Sequence, residues 1–165
     1  MFSSFWKKKP LSVPVFSDNV MAVERETGRW CRAQIGDYLG GEPQHLPDLG
    51  FSHDVMVGSY VCGFMQGQFI VNNHLSRWAK GDEEMVRVGF SMLASPLLEF
   101  VLGSMERSLK AMDRLPQVAL AKETKGIQQM DNMGGWDGMA HAREESKQKN
   151  GLLRFYLENN VDGTR

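Results

Sequence analysis

The chain has 165 residues, of which 42% are hydrophobic and 24% are charged, and its formal net charge is −1 at pH 7. This length fits one domain with a sizeable core, and the apolar content excludes a wholly disordered protein. The balanced charge argues against a nucleic-acid-binding domain, since such domains usually carry a basic excess. The two cysteines, Cys31 and Cys62, indicate reduced core thiols rather than a disulfide framework, which favours a cytoplasmic protein.

Residues 1–16 contain two prolines and no helical period, and they are predicted to form a flexible N-terminal arm. The arm combines three aromatic side chains with three consecutive lysines: Phe2, Phe5, Trp6, Lys7, Lys8 and Lys9. Such a cluster can insert into the groove of a protein partner, or dock on an anionic membrane at about 1 kcal/mol per lysine. A solvated tail is the third interpretation. No apolar stretch follows the lysines, so a secretory signal is not expected.

A first helix is predicted from Ser17-Asp18, which can cap it, to Gly40-Gly41, which can end it. Apolar side chains recur between these points at helical spacing. Residues 42–51 contain two prolines and are predicted to be a connection. A second helix then begins near Ser52 or Asp54.

Residues 55–76 carry no formal charge, which predicts a central buried helix. As a helix this run would be about 33 Å long, enough to cross a bilayer, but its glutamines, asparagines and histidine would be costly in lipid. A buried helix is therefore favoured over a membrane span. Gly63 and Gly67 lie one helical turn apart, and they predict close packing of another helix backbone.

A third helical pattern runs from Val86 to Met112 and is interrupted by Pro96. Because a proline inside a helix costs about 3 kcal/mol, we expect either one kinked helix or two stacked helices with Ser95 as the second cap. The short connection to the preceding helix predicts a central antiparallel helical hairpin.

The C-terminal third predicts a weaker helix from Pro116 to about Met133, a loop at residues 134–138, a charged helix, and a short apolar element. The predicted fold is an all-α, single-domain bundle of five to seven helices. The helical domain is expected to cover residues 17–158, followed by a loose tail at residues 159–165.

Glu99 is the single charged residue between Arg87 and Glu106, which makes it a weak candidate for a catalytic or ligand-binding carboxylate. A pocket would then lie near Glu99, Tyr60 and His74. The alternative is a glutamate at a helix edge that reaches water or pairs with an arginine.

The four histidines share no metal-ligand spacing, and no phosphate loop or nucleophile elbow occurs. We therefore predict no metal and no cofactor, and lean against an enzyme. The favoured hypothesis is a helical protein–protein interaction module (an adaptor, inhibitor or small complex subunit) that binds a partner or itself through the arm and Trp136. The alternatives are a small helical enzyme or ligand carrier with a pocket near Glu99, and a peripheral membrane protein that docks through the arm. The expected location is the cytoplasm or a membrane surface facing it, and nucleic acid is not an expected partner.

Overall fold

The structure is a computed structural model that describes residues 18–72, 83–120, 125–144 and 151–161. These residues fold into six helices and contain no strand. In chain order the helices are α1 (Asp18–Leu39), α2 (Phe51–Val71), α3 (Glu83–Leu102), α4 (Met105–Leu120), α5 (Lys125–Ala142) and α6 (Leu152–Asn160). The prediction of an all-α bundle of five to seven helices is confirmed for the described residues. The predicted arm lies outside them, as do residues 162–165 of the predicted tail.

Helix α2 lies at the centre of the bundle and contacts α1, α3, α4 and α5. Thirteen of its 21 residues are buried, and they fall on all sides of the helix. A helix that is apolar all round has to be covered all round, so residues 55–71 of the uncharged segment belong to the central buried helix, as predicted, while residues 73–76 lie outside the described residues. Within the described ranges, no helix combines the length and the apolarity that crossing a lipid bilayer requires.

Two glycines of α2 let α5 approach to backbone contact. A Cβ atom added to Gly63 would overlap the carbonyl oxygen of Asp131, and one added to Gly67 would overlap the carbonyl oxygen of Gly135. Because neither glycine carries a side chain, the two helix axes come closer than larger residues would permit. The structure thus places both glycines at the contact between α2 and α5.

Two glycines of α5 complete this contact from the other side. Added Cβ atoms on Gly134 and Gly138 would overlap the carbonyl oxygens of Tyr60 and Phe64, respectively. The contacts advance in the same direction along both helices, so α2 and α5 run parallel. The predicted loop at residues 134–138 is wrong, because these glycines lie within α5 and are compensated by its packing on α2.

The C-terminal end of α3 lies beside the N-terminal end of α2, as an antiparallel hairpin requires. Leu98 contacts Gly58, and the Val101 carbonyl accepts a hydrogen bond of 2.8 Å from the Leu46 N–H. The predicted turn of this hairpin falls within residues 73–82, outside the described residues. The most extensive contact of α2 is nevertheless with α5, which the sequence did not predict.

The third helical pattern divides at Gly103 and not at Pro96, which lies inside the continuous helix α3. Gly103 has φ +71°, a conformation that glycine adopts at little cost. The Ser104 Oγ then accepts a hydrogen bond of 3.3 Å from the Arg107 N–H and caps α4. Neither of the two predicted arrangements placed the division there.

Arg107 ties the start of α2 to the α3–α4 junction. Its Nη2 and Nε donate to the two carboxylate oxygens of buried Asp54 over 2.6 and 2.9 Å. Its remaining N–H groups donate to the carbonyls of Leu46, Pro47 and Leu102. A guanidinium with all its donors used offsets the cost of burying the carboxylate.

Candidate functional site

A groove follows the parallel pair of helices α2 and α5 on one side and has a volume of about 210 Å³. Its lining includes Gly63, Gly67, Ile70, Asp131, Trp136 and Met139, and it is called the α2–α5 groove here. Because the glycines have no side chains, the helix backbones themselves form part of its wall. The close helix contact described above therefore also shapes this surface.

Trp136 and Ile70, one from each helix, line the groove with large exposed apolar side chains. Trp136 is 63% exposed and Ile70 is 55% exposed. The orientation of Trp136 follows from its neighbours, because Gly134, Asp137 and Gly138 occupy the buried face of α5. Exposed aromatic side chains beside a groove are typical of surfaces that bind other proteins.

Asp131 adds a half-buried carboxylate to the same groove. Burial raises the pKa of Asp131 above its usual range. In the part of the chain that the structure describes, its carboxylate makes no hydrogen bond or ion pair. The nearby Cys62 thiol has its pKa raised to about 12, first by burial and then by the Asp131 charge. A partly desolvated carboxylate without a counter-charge favours the binding of a cation.

A buried hydrogen-bond network fixes the opposite face of α5. The Tyr60 hydroxyl donates to Oδ2 of Asp137 over 2.5 Å and accepts from Trp30 Nε1 over 3.1 Å. The Leu152 N–H donates to the same Asp137 oxygen over 2.7 Å. Burial raises the pKa of both Tyr60 and Asp137. The network joins α1, α2, α5 and α6. Its polar groups are buried and hydrogen-bonded to one another, which is typical of a structural role.

A second, more apolar pocket of about 160 Å³ lies where α2, α5 and α6 meet. Its lining includes Met56, Met130, Met133, Phe155, Tyr156 and Asn160, and none of the described residues that line it is charged. His53 Nδ1 lies 2.8 Å from the Tyr156 hydroxyl behind it. Most of the described residues that line this pocket are apolar, so it offers mainly apolar contact.

The residues that the sequence singled out as site candidates do not come together in one place. Glu99 is partly buried on α3 and lines neither pocket, while Tyr60 lies in the core with its hydroxyl bound to Asp137. His74 lies outside the described residues, as do Phe2, Phe5, Trp6, Lys7, Lys8 and Lys9. Trp136 lies in α5 and lines the groove. Within the described ranges, no three His, Cys, Asp or Glu side chains are grouped to hold a metal ion.

Sequence reasoning missed Ile70 and Asp131, which come together only through the α2–α5 contact. The signal that could have found them is the repeated spacing of glycines, Gly63 with Gly67 and Gly134 with Gly138, which favours pairing of the two helices.

The chain matches no protein-family model, no curated protein and no solved structure at a significant level. The functional argument therefore depends on the chemistry of the groove.

Proposed function

We propose that the protein is a helical protein–protein interaction module, acting as an adaptor, an inhibitor or a small subunit of a complex. The α2–α5 groove is its contact surface. The observation that carries this proposal is the exposure of Trp136 and Ile70 in a groove that also contains the Asp131 carboxylate, which has no ion-pair partner among the described residues.

The apolar area supports binding of useful strength. A tryptophan buries roughly 150–250 Å² on full coverage, and about two thirds of Trp136 is still exposed. Covering that part would contribute about 3 kcal/mol at roughly 25 cal/mol per Å². Ile70 adds a further contribution of about 1 kcal/mol by the same reasoning. Side-chain ordering and lost rigid-body freedom reduce these gains, so Trp136 is expected to be the dominant contact.

The chemistry of the groove defines the partner. A segment that fits it has a large apolar side chain to cover Trp136 and Ile70, and a lysine or arginine to pair with Asp131. Hydrogen bonds between charged groups contribute about 1.5–3 kcal/mol when they are shielded from water. The partner is therefore a protein segment with apolar and cationic residues next to each other. The enzyme or carrier and the peripheral membrane protein stay as alternatives.

The test is affinity capture of the tagged protein from its native host, comparing the wild type and three variants by quantitative mass spectrometry. A partner at the groove is retained by the wild type and by Phe155→Ala, which alters an exposed aromatic of α6 outside the groove. The same partner is lost from Trp136→Ala and weakened in Asp131→Asn. Circular dichroism of all four proteins checks that the helices are intact. A partner retained equally by Trp136→Ala would overturn the proposal.

A further inference from the structure

We infer that residues 2–9 of this same chain occupy the α2–α5 groove, so that a protein partner has to displace them. This inference rests on the proposed function of the groove and names an internal competitor for it. It arises from three observations: the chemistry of the groove, the chemistry of the segment, and the position at which α1 begins.

The segment has the composition that the groove requires. Residues 2–9 contain Phe2, Phe5 and Trp6, and they end in Lys7, Lys8 and Lys9, the chain's one run of three consecutive lysines. An aromatic side chain can cover Trp136 and Ile70 while a neighbouring lysine pairs with Asp131. None of the described residues that line the groove is a lysine or an arginine, so a cation for Asp131 has to come from another part of the chain or from a partner.

Helix α1 begins at the end of the bundle where Ile70 lies. Gln68 Nε2 donates to Thr27 Oγ1 over 2.8 Å, and Trp30 Nε1 donates to the Tyr60 hydroxyl. Thr27 is thus paired with Gln68, and the later residue Trp30 is paired with the earlier residue Tyr60. The two helices therefore run antiparallel. Following α1 back to its first residue leads towards the end of α2 that carries Ile70.

The distance is short enough for the chain to cover. Along the helix axes, Asp18 lies about 13 Å from Thr27, whereas Ile70 lies about 3 Å from Gln68, at 1.5 Å per residue. The offset along the axis is thus about 10 Å, and passing round one helix adds about 10–12 Å. Residues 10–17 can span up to roughly 26 Å when extended. The segment can therefore reach the groove without any change in the bundle.

Attachment to the same chain makes even weak binding effective. A segment tethered by a short linker experiences an effective concentration in the millimolar range. Residues 2–9 would then cover Trp136 and Ile70 when no partner is present, and they would weaken the binding of any partner that uses the same groove. The N-terminal arm would then act as an autoinhibitory element and not as a direct contact with the partner.

The test places a nitroxide spin label on a full-length Ser4→Cys variant and records the indole N–H signals by NMR. Burial raises the pKa values of Cys31 and Cys62, so the label reacts preferentially at the new cysteine. We expect loss of the Trp136 indole signal, identified with Trp136→Phe, while the core Trp30 signal is retained. Replacing Lys7, Lys8 and Lys9 with glutamate should restore the Trp136 signal, and Asp131→Asn should restore it in part.

Two outcomes would overturn the inference. One is a Trp136 signal that the label leaves unchanged. The other is loss of the Trp136 signal in isotope-labelled chains that carry no spin label, when these are mixed with spin-labelled chains. That result would place the segment on a second copy. If capture of a partner depends on Trp136 while the label leaves its signal unchanged, the autoinhibitory segment is rejected and the proposed function stands. If capture is independent of Trp136, the proposed function itself fails.

Discussion

The hydroxyl of Tyr60 in α2 donates to Oδ2 of Asp137 in α5 over 2.5 Å, and both side chains are buried. Burial is the largest influence on the Asp137 carboxyl and raises its pKa, while the hydrogen bonds from Tyr60 and from the Leu152 N–H lower it by less. The carboxyl is therefore harder to ionise in the folded protein than in the unfolded chain, and the stability of the fold depends on pH.

The first prediction concerns that pH dependence. A carboxyl with a raised pKa binds more protons in the folded state, so stability is greatest below its ordinary pKa of 3.8 and falls as pH rises through the folded value. We expect the free energy of unfolding of Asp137→Asn to fall less than that of the wild type as pH rises from 3.8. The amide oxygen can take the place of Oδ2 and accept both hydrogen bonds. Urea unfolding at several pH values measures the slope, and equal slopes for the two proteins would contradict the assignment.

Tyr60→Phe is the companion variant for this network. It removes one of the two donors to Asp137 and leaves Trp30 Nε1 without its acceptor. A lost hydrogen bond of this kind destabilises the fold by about 1–3 kcal/mol. The same variant should steepen the fall in stability with pH, because the hydrogen bond that lowers the Asp137 pKa is gone.

The second prediction uses two adjacent glycines of α5 that have opposite surroundings. Gly134→Ala would place a Cβ atom against the Tyr60 carbonyl, whereas a Cβ atom at Gly135 would lie 3.8 Å from the Gly63 carbonyl oxygen, an ordinary van der Waals distance. We expect Gly134→Ala to lower the free energy of unfolding by about 1–3 kcal/mol through overpacking. Gly135→Ala should raise it by up to about 1 kcal/mol, because alanine favours the helix. Chemical denaturation measures both, and equal effects would argue against backbone contact at this helix pair.

The third prediction concerns the ion pair that joins α2 to the α3–α4 junction. Arg107→Ala removes every partner of the Asp54 carboxylate that the structure describes, and the Asp54 side chain is only 4% exposed. Breaking a buried pair in this way costs about 3–5 kcal/mol. Lys110→Ala is the matched control on α4, because its pair with Glu106 is exposed, and we expect no measurable change there. Thermal unfolding compares the two, and a small effect of Arg107→Ala would show that Asp54 gains water when the arginine is lost.

The fourth prediction separates binding from stability at Asp131. Its carboxyl has a pKa raised by burial, so ionisation at neutral pH opposes folding. Asp131→Asn should therefore be at least as stable as the wild type at pH 7, with a stability that falls less as pH rises from 3.8. Under the proposed function, the same variant should bind a partner with a cationic side chain more weakly. Loss of both stability and binding would indicate a structural role for the carboxylate instead.

The sequence predicted the helices that local patterns define. Helix α1 begins at Asp18 and ends before Gly40, and residues 55–71 of the uncharged segment lie in the buried helix α2, as capping residues and apolar spacing indicated. Helix was predicted up to about Met133 and again from Ala140, but the continuation of α5 through residues 134–138 was missed because Gly134 and Gly138 are poor helix formers in isolation. Their cost is offset only by contact with α2, which lies some 70 residues earlier in the chain and is invisible to local patterns.

The candidate site was predicted in part for the same reason. Trp136 was singled out as a contact residue, although in a loop, and the structure places it at a groove. Ile70 and Asp131 had no distinguishing pattern, because their importance depends on which helix lies beside them. When a groove lies between two helices that are distant in sequence, its residues can be identified only after the pairing of the helices is known.

The glycine contact between α2 and α5 also determines how a mutation in the core would alter recognition. A helix turns by about 100° per residue, so a shift of α5 by one position would carry Trp136 away from Ile70. The interlocking backbones permit no such sliding, because Gly63 and Gly134 meet carbonyl groups of the facing helix. The groove is therefore a preformed surface, and a partner of the proposed kind would bind without the entropic cost of ordering it. Substitution of Gly134, which does not line the groove, would then change partner choice as well as stability.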